Sequence, residues 1–375
     1  MTNNSPSFLR IAIVAPVWFE IPPNAYGGIE WICAWLAEGL VERGHEVTLI
    51  GAGRDRTRAR FIPTYQKCPS ERLGENLPEV IHSARAGRLL QNLDVDLVHD
   101  HTLCGPLQAA GRQTPTFVTA HGPVTGDFED YFRALGSSVS LVAISGSQRS
   151  QAPDLNWAAT VHNAIPVDEY PFRADKEDYL LFLGRMNPNK GVHLAIDAAR
   201  AAGRPIVLAG KLNEPAEKAY FEAEIAPRLG PDVSWIGEAD SATKKDLLAR
   251  AHAFLFPIRW EEPFGIVMVE AMACGTPVVA LRGGSVDEVV DHGVTGFICD
   301  EPADLPALID RVGELSPAAC RDHATERFDV PKMVAGYEEA FRTALGQPSS
   351  DRRDADRNGP AGDPAQLLRG LSRSG

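Results

Sequence analysis

The six cysteines, Cys33, Cys68, Cys104, Cys274, Cys299 and Cys320, form no CxxC pair and no metal-ligand spacing. A zinc ribbon and a dithiol redox centre are therefore not expected, and the thiols read as reduced side chains of a cytosolic protein, several of them in apolar segments. No window approaches the roughly 18 apolar residues that span a bilayer. The opening MTNNSPSFLR lacks a charged stretch followed by a long apolar one, so a secretory leader is not expected either. Positive charge is also short. A net charge of −13 and a pI near 5.3 argue against a nucleic-acid-binding surface over the whole molecule, while leaving room for a local basic patch. There is no GxGxxG fingerprint and no internal repeat. What is present is ordinary globular material: 375 residues, 44% hydrophobic and 23% charged, enough for two domains with separate cores.

The first half alternates strands and helices. Ile11 to Ala15 is an apolar run short enough for a buried parallel strand, followed by a Pro- and Gly-rich loop from Pro16 to Gly28. Helical spacing runs from Ile29 to Val41 and closes at Arg43-Gly44 before a strand from His45 to Gly51. Gly27 and Gly28 either let the backbone approach a phosphate, with Glu30 in the first helical turn, or make an ordinary tight turn. Residues 51–90 carry eight Arg and Lys against four Asp and Glu. They read as a solvated variable loop; the sharper alternative is a patch, centred on the arginines of 54–60, for an anionic acceptor or a membrane surface. His101 and His121 both fall at strand ends, and His121-Gly122-Pro123 belongs to a shaped loop. Leu141 to Ser145 and Thr160 to Ile165 read as further strands, and the polar linker from Val167 to Asp178 divides the chain.

In the second half, Tyr179 to Leu183 is a strand, and the loop from Gly184 to Gly191 presents Arg185 and Lys190 together as a clamp for phosphate oxygens. A helix from Val192 to Ala202 follows, and another is expected near 215–228. The pivotal stretch is Ile258 to Gly275. The buried run Ala253 to Pro257 leads into it, Pro263 suits a first helical turn, and a helix from Phe264 ends at Gly275. Glu262 then lies in the strand-to-helix loop and Glu270 about two turns into the helix, both toward the crevice beyond the strand carboxyl ends. The backbone N–H groups of Phe264, Gly265 and Ile266 would form an anion-binding helix end. Residues 347–375, rich in Asp, Arg, Gly and Pro, read as a disordered tail.

Four motifs in this order, Gly27-Gly28-Ile29-Glu30, His121-Gly122, Gly184-Arg185 to Lys190-Gly191, and Glu262-Pro263-Phe264-Gly265 to Glu270, resemble the large family-4 glycosyltransferases, retaining enzymes of the GT-B fold, over residues 8–346. The resemblance implies an α/β chain of two Rossmann-like, doubly wound domains facing a central cleft. Residues 1–170, completed by helices at about 331–346, would bind the acceptor, and 171–330 the nucleotide sugar. It implies that Arg185 and Lys190 neutralise the departing diphosphate and that Glu270 takes the ribose hydroxyls. Glu262, with the backbone of Phe264, Gly265 and Ile266, would hold the sugar and distal phosphate. Gly27 and Gly28 would close over the diphosphate, and His121 would meet the sugar near the reacting carbon. No metal or cofactor is expected. The favoured donor is a UDP-sugar, with GDP-mannose next, and the acceptor is an alcohol, lipid-linked or small, met in the cytoplasm or at the inner face of the membrane. Asn163-Ala164-Ile165 departs from the family's usual Asn-Gly-Val or Asn-Gly-Ile. A sugar-nucleotide epimerase, a phosphorylase with a pyridoxal-phosphate lysine, and a non-catalytic nucleotide-sugar-binding protein share the same scaffold.

Overall fold

The computed structural model describes residues 8–23 and 27–347. The first sheet contains β1 (Arg10–Val14), β2 (Glu46–Ala52), β3 (Arg60–Tyr65), β4 (Leu97–Asp100), β5 (Thr116–Ala120), β6 (Ser140–Ala143) and β7 (Trp157–Thr160). Their spatial order is β3-β2-β1-β4-β5-β6-β7, and every pair is parallel. The second sheet contains β8 (Leu180–Leu183), β9 (Ile206–Ala209), β10 (Val233–Trp235), β11 (Ala253–Phe256), β12 (Val278–Leu281) and β13 (Gly296–Cys299). It runs β10-β9-β8-β11-β12-β13, again all parallel. Central strands such as β4, β8, β11 and β12 are buried at every position, as expected of sheets covered by helices on both faces. Strand order reverses beside β1 and β4 in one sheet and beside β8 and β11 in the other. Crevices open at such reversals.

Three expectations need correction. Residues 51–90 are not one loop: they hold β3 and a helix from Asn76 to Leu90. β3 is an edge strand, where Pro63 and the exposed Arg60 are tolerated and where a strand is hard to read. The last strand of the first sheet is Trp157–Thr160, not Thr160–Ile165; Ile165 makes only an isolated bridge to Asp329. The helix near 215–228 is α-helical only to Tyr220, then turns through a π segment, Phe221–Ile225, and a short 3₁₀ turn, Ala226–Arg228. Apart from Gln347, the tail expected at 347–375 lies outside the described residues. Among the described residues, no helix is long and apolar enough to cross a membrane.

The final helix, Val330–Ala344, returns to the first sheet. Asp329 caps it, accepting from the backbone N–H of Val330 (2.9 Å) and of Val167 (3.2 Å). Met333, Val334, Tyr337 and Phe341 join the core made by Leu36, Leu40, Leu49 and Phe117. Close approach is needed against the first helix, Gly28–Glu42: a Cβ on Gly39 would sit 2.4 Å from Val334 Cγ2. At the rim, Glu338 accepts from Arg342 Nε (2.8 Å) and from Arg43 Nε, with His45 Nε2 at 3.4 Å. Burial pushes the Glu338 carboxyl up, but the bonds from His45, Arg342 and Arg43 outweigh it and hold it near 2.

A depressed folded-state carboxyl stabilises the protein above its ordinary value of 4.5 and loses that contribution as pH falls toward about 2. Glu338→Gln should therefore remove about 2 kcal/mol at pH 7 and flatten the acid limb of a denaturant-unfolding series over that window. Identical pH slopes for the two proteins would rule out this role for Glu338.

Candidate active site

The loops that follow β8 and β11 interlock. A Cβ on Gly191 would fall 1.9 Å from the Pro257 carbonyl oxygen, and Arg259 N–H donates to Asn189 O at 2.7 Å. Lys190 ends a short turn, Pro188–Lys190, capped by the Asn187 side chain. Its ammonium donates to Glu262 Oε2 and stands 4.8 Å above the Trp260 ring, whose Nε1 donates to the same oxygen at 3.0 Å. Glu262 is braced from behind by Gly283-Gly284-Ser285. Ser285 N–H donates to Glu262 O at 2.9 Å, and Gly284, at φ +53°, lies so close that a Cβ would meet Glu262 O at 2.1 Å.

Glu270 occupies the second turn of the helix Ile266–Ala273. Its Oε1 accepts from Lys244 Nζ (2.6 Å) and from the Tyr170 hydroxyl (2.8 Å), while Oε2 has no protein partner among the described residues. Burial first, then the adjacent Glu270 carboxylate, pushes the Tyr170 phenol far up, so it is a donor at any ordinary pH. Arg185 Nε donates to Glu217 (2.6 Å) and its Nη2 to Glu214. Glu217 also accepts the backbone N–H groups of Asn213 (3.0 Å) and Glu214 (3.1 Å). Burial pushes its carboxyl up, but these N–H donors and Arg185 outweigh it and hold it below the usual range.

These residues surround a cavity of about 470 Å³, large enough for a sugar nucleotide. Gly27, Gly28, Trp31 and Trp35 line it from the first helix, and Arg185, Lys190, Glu262, Gly265, Ile266 and Glu270 from the second sheet's loops. Trp31 and Trp35 stack with ring centroids 5.2 Å apart. Five cations (Arg185, Lys190, Lys211, Lys244, Lys245) face four carboxylates (Glu169, Glu238, Glu262, Glu270) on its walls. Beside Gly27, Glu30 is buried, and desolvation raises its carboxyl to about 7. No group of three or more His, Cys, Asp or Glu able to hold a metal ion occurs among the described residues.

One expected site residue, Phe264, lies elsewhere. The helix begins at Ile266, with Gly265 left-handed (φ +70°) as its cap, so Pro263 and Phe264 belong to the preceding loop. Phe264 is buried against Phe328 (centroids 5.9 Å apart) rather than at the helix end, and it does not line the cavity. At that helix end, Gly265, Ile266 and Val267 line the cavity. His121 stands just beyond β5, outside the cavity lining, stacked on His101, with its Nε2 2.9 Å from His101 Nδ1. Desolvation pushes its imidazole down to about 4, so it is neutral at pH 7. The arginines of 54–60 are largely engaged: Arg54 and Arg56 pair with Glu20, and Arg58 with Glu38 and Glu42. Tyr170, Lys244, Trp31 and Trp35 were not anticipated. The Trp31/Trp35 spacing of one helical turn was the one available signal for the last two.

Residues 26–173 match the family described as Glycosyltransferase Family 4, and residues 168–323 match Glycosyl transferases group 1. The chain belongs to this glycosyltransferase family: it has the GT-B fold and is a hexosyltransferase that moves a sugar from a nucleotide sugar. It is 27% identical to a glycogen synthase of Mycobacterium tuberculosis, over 90% of this chain and 95% of that one. A phosphatidyl-myo-inositol mannosyltransferase of Mycolicibacterium smegmatis shows the same identity and coverage. Among solved structures, AviGT4, a glycosyltransferase involved in avilamycin A biosynthesis, superposes with a TM-score of 0.69 at 28% identity, over 91% of this chain and 99% of that one. Anabaena HepE in complex with UDP-glucose gives 0.69 at 19% identity, over 90% and 99%.

Gly284→Ala should force both a strained left-handed alanine and a clash with the Glu262 backbone. It is expected to cost about 1–3 kcal/mol in chemical denaturation and to weaken nucleotide-sugar binding together with stability. An unshifted unfolding midpoint with wild-type affinity would show that this loop does not hold Glu262 in place.

Proposed function

We propose that the protein is a retaining hexosyltransferase acting without a metal ion, with a UDP-sugar as the favoured donor and GDP-mannose next. The observation that carries this reading is the arrangement of two carboxylates on the wall of one cavity, each beside its own lysine. Glu270 has one oxygen fixed by two donors and the other open, as a ribose diol requires; Glu262 is held beside Lys190, nearer the Arg185 loop. In this reading Glu270 accepts the ribose hydroxyls. Lys190, Arg185 and the N–H groups following Gly265 receive the diphosphate, and Glu262 orients the hexose. Gly27 and Gly28 close over the diphosphate from the opposite wall, and His121 meets the sugar near the reacting carbon. The 171–330 unit holds the donor; the 1–170 unit with the returning helices takes the acceptor, a lipid-linked or small-molecule alcohol on the cytoplasmic side.

Breaking the anomeric bond builds negative charge on the leaving phosphate oxygen. Fixed cations and helix-end N–H groups stabilise that charge in the transition state more than in the ground state. Retention through a covalent glycosyl-enzyme would need a carboxylate nucleophile. Glu262 has its Oε2 committed to Lys190 and Trp260, which favours same-face attack by the acceptor hydroxyl, with the departing phosphate taking its proton. HepE, bound to UDP-glucose in its own structure, lends support to a uridine donor, and the mannosyltransferase relatives keep GDP-mannose next.

Calorimetric titration with UDP-, GDP- and ADP-sugars, first without metal and then with magnesium, tests this. Micromolar binding of one donor, insensitive to magnesium, is expected. Binding only with magnesium would overturn the metal-free mechanism, and no binding at all would favour a non-catalytic or differently loaded scaffold. Glu270→Ala should weaken the preferred donor by about 1–3 kcal/mol, since it removes a charged hydrogen-bond acceptor. Undiminished affinity in that variant would sink the assignment of the ribose site.

A further inference from the structure

A line of polar side chains crosses the interior of the first sheet, from the returning helix to the sheet's carboxyl edge. Tyr337 Oη lies 3.0 Å from Thr119 Oγ1, which lies 2.8 Å from His99 Nε2. His99 Nδ1 is 3.2 Å from His101 Nε2, and His101 Nδ1 is 2.9 Å from His121 Nε2. The first four side chains are buried, and His121 is partly exposed. His121 Nδ1 has no partner among the described residues, and it is not among the enclosed, unpartnered atoms. It is the end of the line that meets solvent or substrate.

Hydrogen-bond accounting gives the line a direction. Burial pushes His99 down to about 3, His121 to about 4 and His101 well below its ordinary value, so at pH 7 each ring is neutral and carries one proton. Each ring-to-ring contact needs one proton, which leaves two self-consistent arrangements. In the inward one, every Nε2 is protonated, His99 donates to Thr119, and Thr119 donates to Tyr337. The Tyr337 proton then has no acceptor, because Thr119 is its sole hydrogen-bond partner among the described residues, and an orphan buried donor is costly. In the outward one, Tyr337 donates to Thr119, Thr119 to His99 Nε2, His99 Nδ1 to His101 Nε2, and His101 Nδ1 to His121 Nε2. Every donor is then used. The remaining proton sits on His121 Nδ1, and only lone pairs go unfilled, both on Tyr337 Oη and one on Thr119 Oγ1.

We propose that this line fixes His121 as its Nδ1–H tautomer, so that the nitrogen it presents at the sheet edge is a hydrogen-bond donor to an oxygen of the sugar and not a base. His101, His99, Thr119 and Tyr337 are positioning residues for that donor. An Nδ1–H donor suits a hydroxyl or ring oxygen, and it leaves the acceptor's proton to the departing phosphate. The link to sugar rests on the reading of His121 given under Proposed function; the tautomer itself does not.

The test is ¹⁵N NMR of the full chain with labelled histidine, reading ring protons through long-range ¹H–¹⁵N correlations. His99, His101 and His121 are expected to be protonated at Nδ1, the reverse of the preference of histidine in water. A proton on Nε2 of His121 overturns the proposal. His101→Phe keeps the stacked ring but removes its nitrogens. In that variant the His121 proton should move largely to Nε2, and kcat should fall roughly tenfold at unchanged donor KM. Thr119→Ser, which retains the hydroxyl, should keep the wild-type spectrum and rate. A folded His101→Phe protein with an unaltered His121 tautomer would also overturn the proposal. If the wild-type spectrum is as expected but His121→Ala transfers sugar at the wild-type rate, the sugar contact falls and the tautomer stands.

Discussion

A parallel strand cannot be followed by a tight turn to its neighbour. The chain must return over a face of the sheet before starting the next strand in the same direction. Thirteen strands under that constraint leave all their carboxyl ends on one edge of each sheet. Where the strand order reverses, the returning helices diverge to opposite faces and a crevice opens. The loops after β1, β4, β8 and β11 are the ones beside the two reversals, and they carry Gly27-Gly28, His101, Arg185 with Lys190, and Glu262. The topology thus gathers Gly27, Gly28, Arg185, Lys190 and Glu262, from segments more than 200 residues apart, around one cavity.

Within the cavity each principal cation already stands on a carboxylate: Lys190 on Glu262, Lys244 on Glu270, Arg185 on Glu217. Such pairing limits the cost of holding charge in a partly desolvated site, and it fixes the geometry before a ligand arrives. The pairs are not equivalent. Glu217 is tied to backbone N–H groups, and Glu262 to Trp260 and the loop at Ser285. Lys190 has a flexible stem and a non-directional ammonium. On the proposed assignment, an incoming phosphate would find in Lys190 the partner most easily turned, while the carboxylates would stay in place for hydroxyl groups.

The buried strands were legible as apolar runs, because residues enclosed on both faces have no alternation to hide them. β3 and β7 were not, because edge strands admit Pro63 and the small residues Ala158 and Ala159. That Glu262, Glu270, Arg185 and Lys190 lie at the strand carboxyl ends, where one cavity opens, was legible from loop and helix geometry. The start of the helix was misjudged because Pro263 fits a first turn, whereas the left-handed Gly265 postpones it. Tyr170 and Lys244 were invisible for a different reason. They come from the linker and from another helix, and they meet Glu270 only through tertiary packing.

Three imidazoles and two hydroxyls in a sheet interior occupy space where valine and leucine would pack without polar demands. Such a set is tolerable only when every donor is used, since the low dielectric that strengthens a satisfied network also magnifies one missing partner. The network therefore needs an end that can give a proton without receiving one, and a phenol at full burial is such an end. Tyr337 reaches His99 only because the final helix returns to the first sheet, and the ring stands 4.8 Å from that imidazole. Glu338, the next residue, anchors the same helix at its rim through Arg43 and His45, with Arg342 of the helix itself closing the cluster. The docking of the helix and the polarity of the histidine line are thus set by neighbouring residues on one turn, so loosening the ion cluster would also withdraw the proton donor on which the line's direction depends.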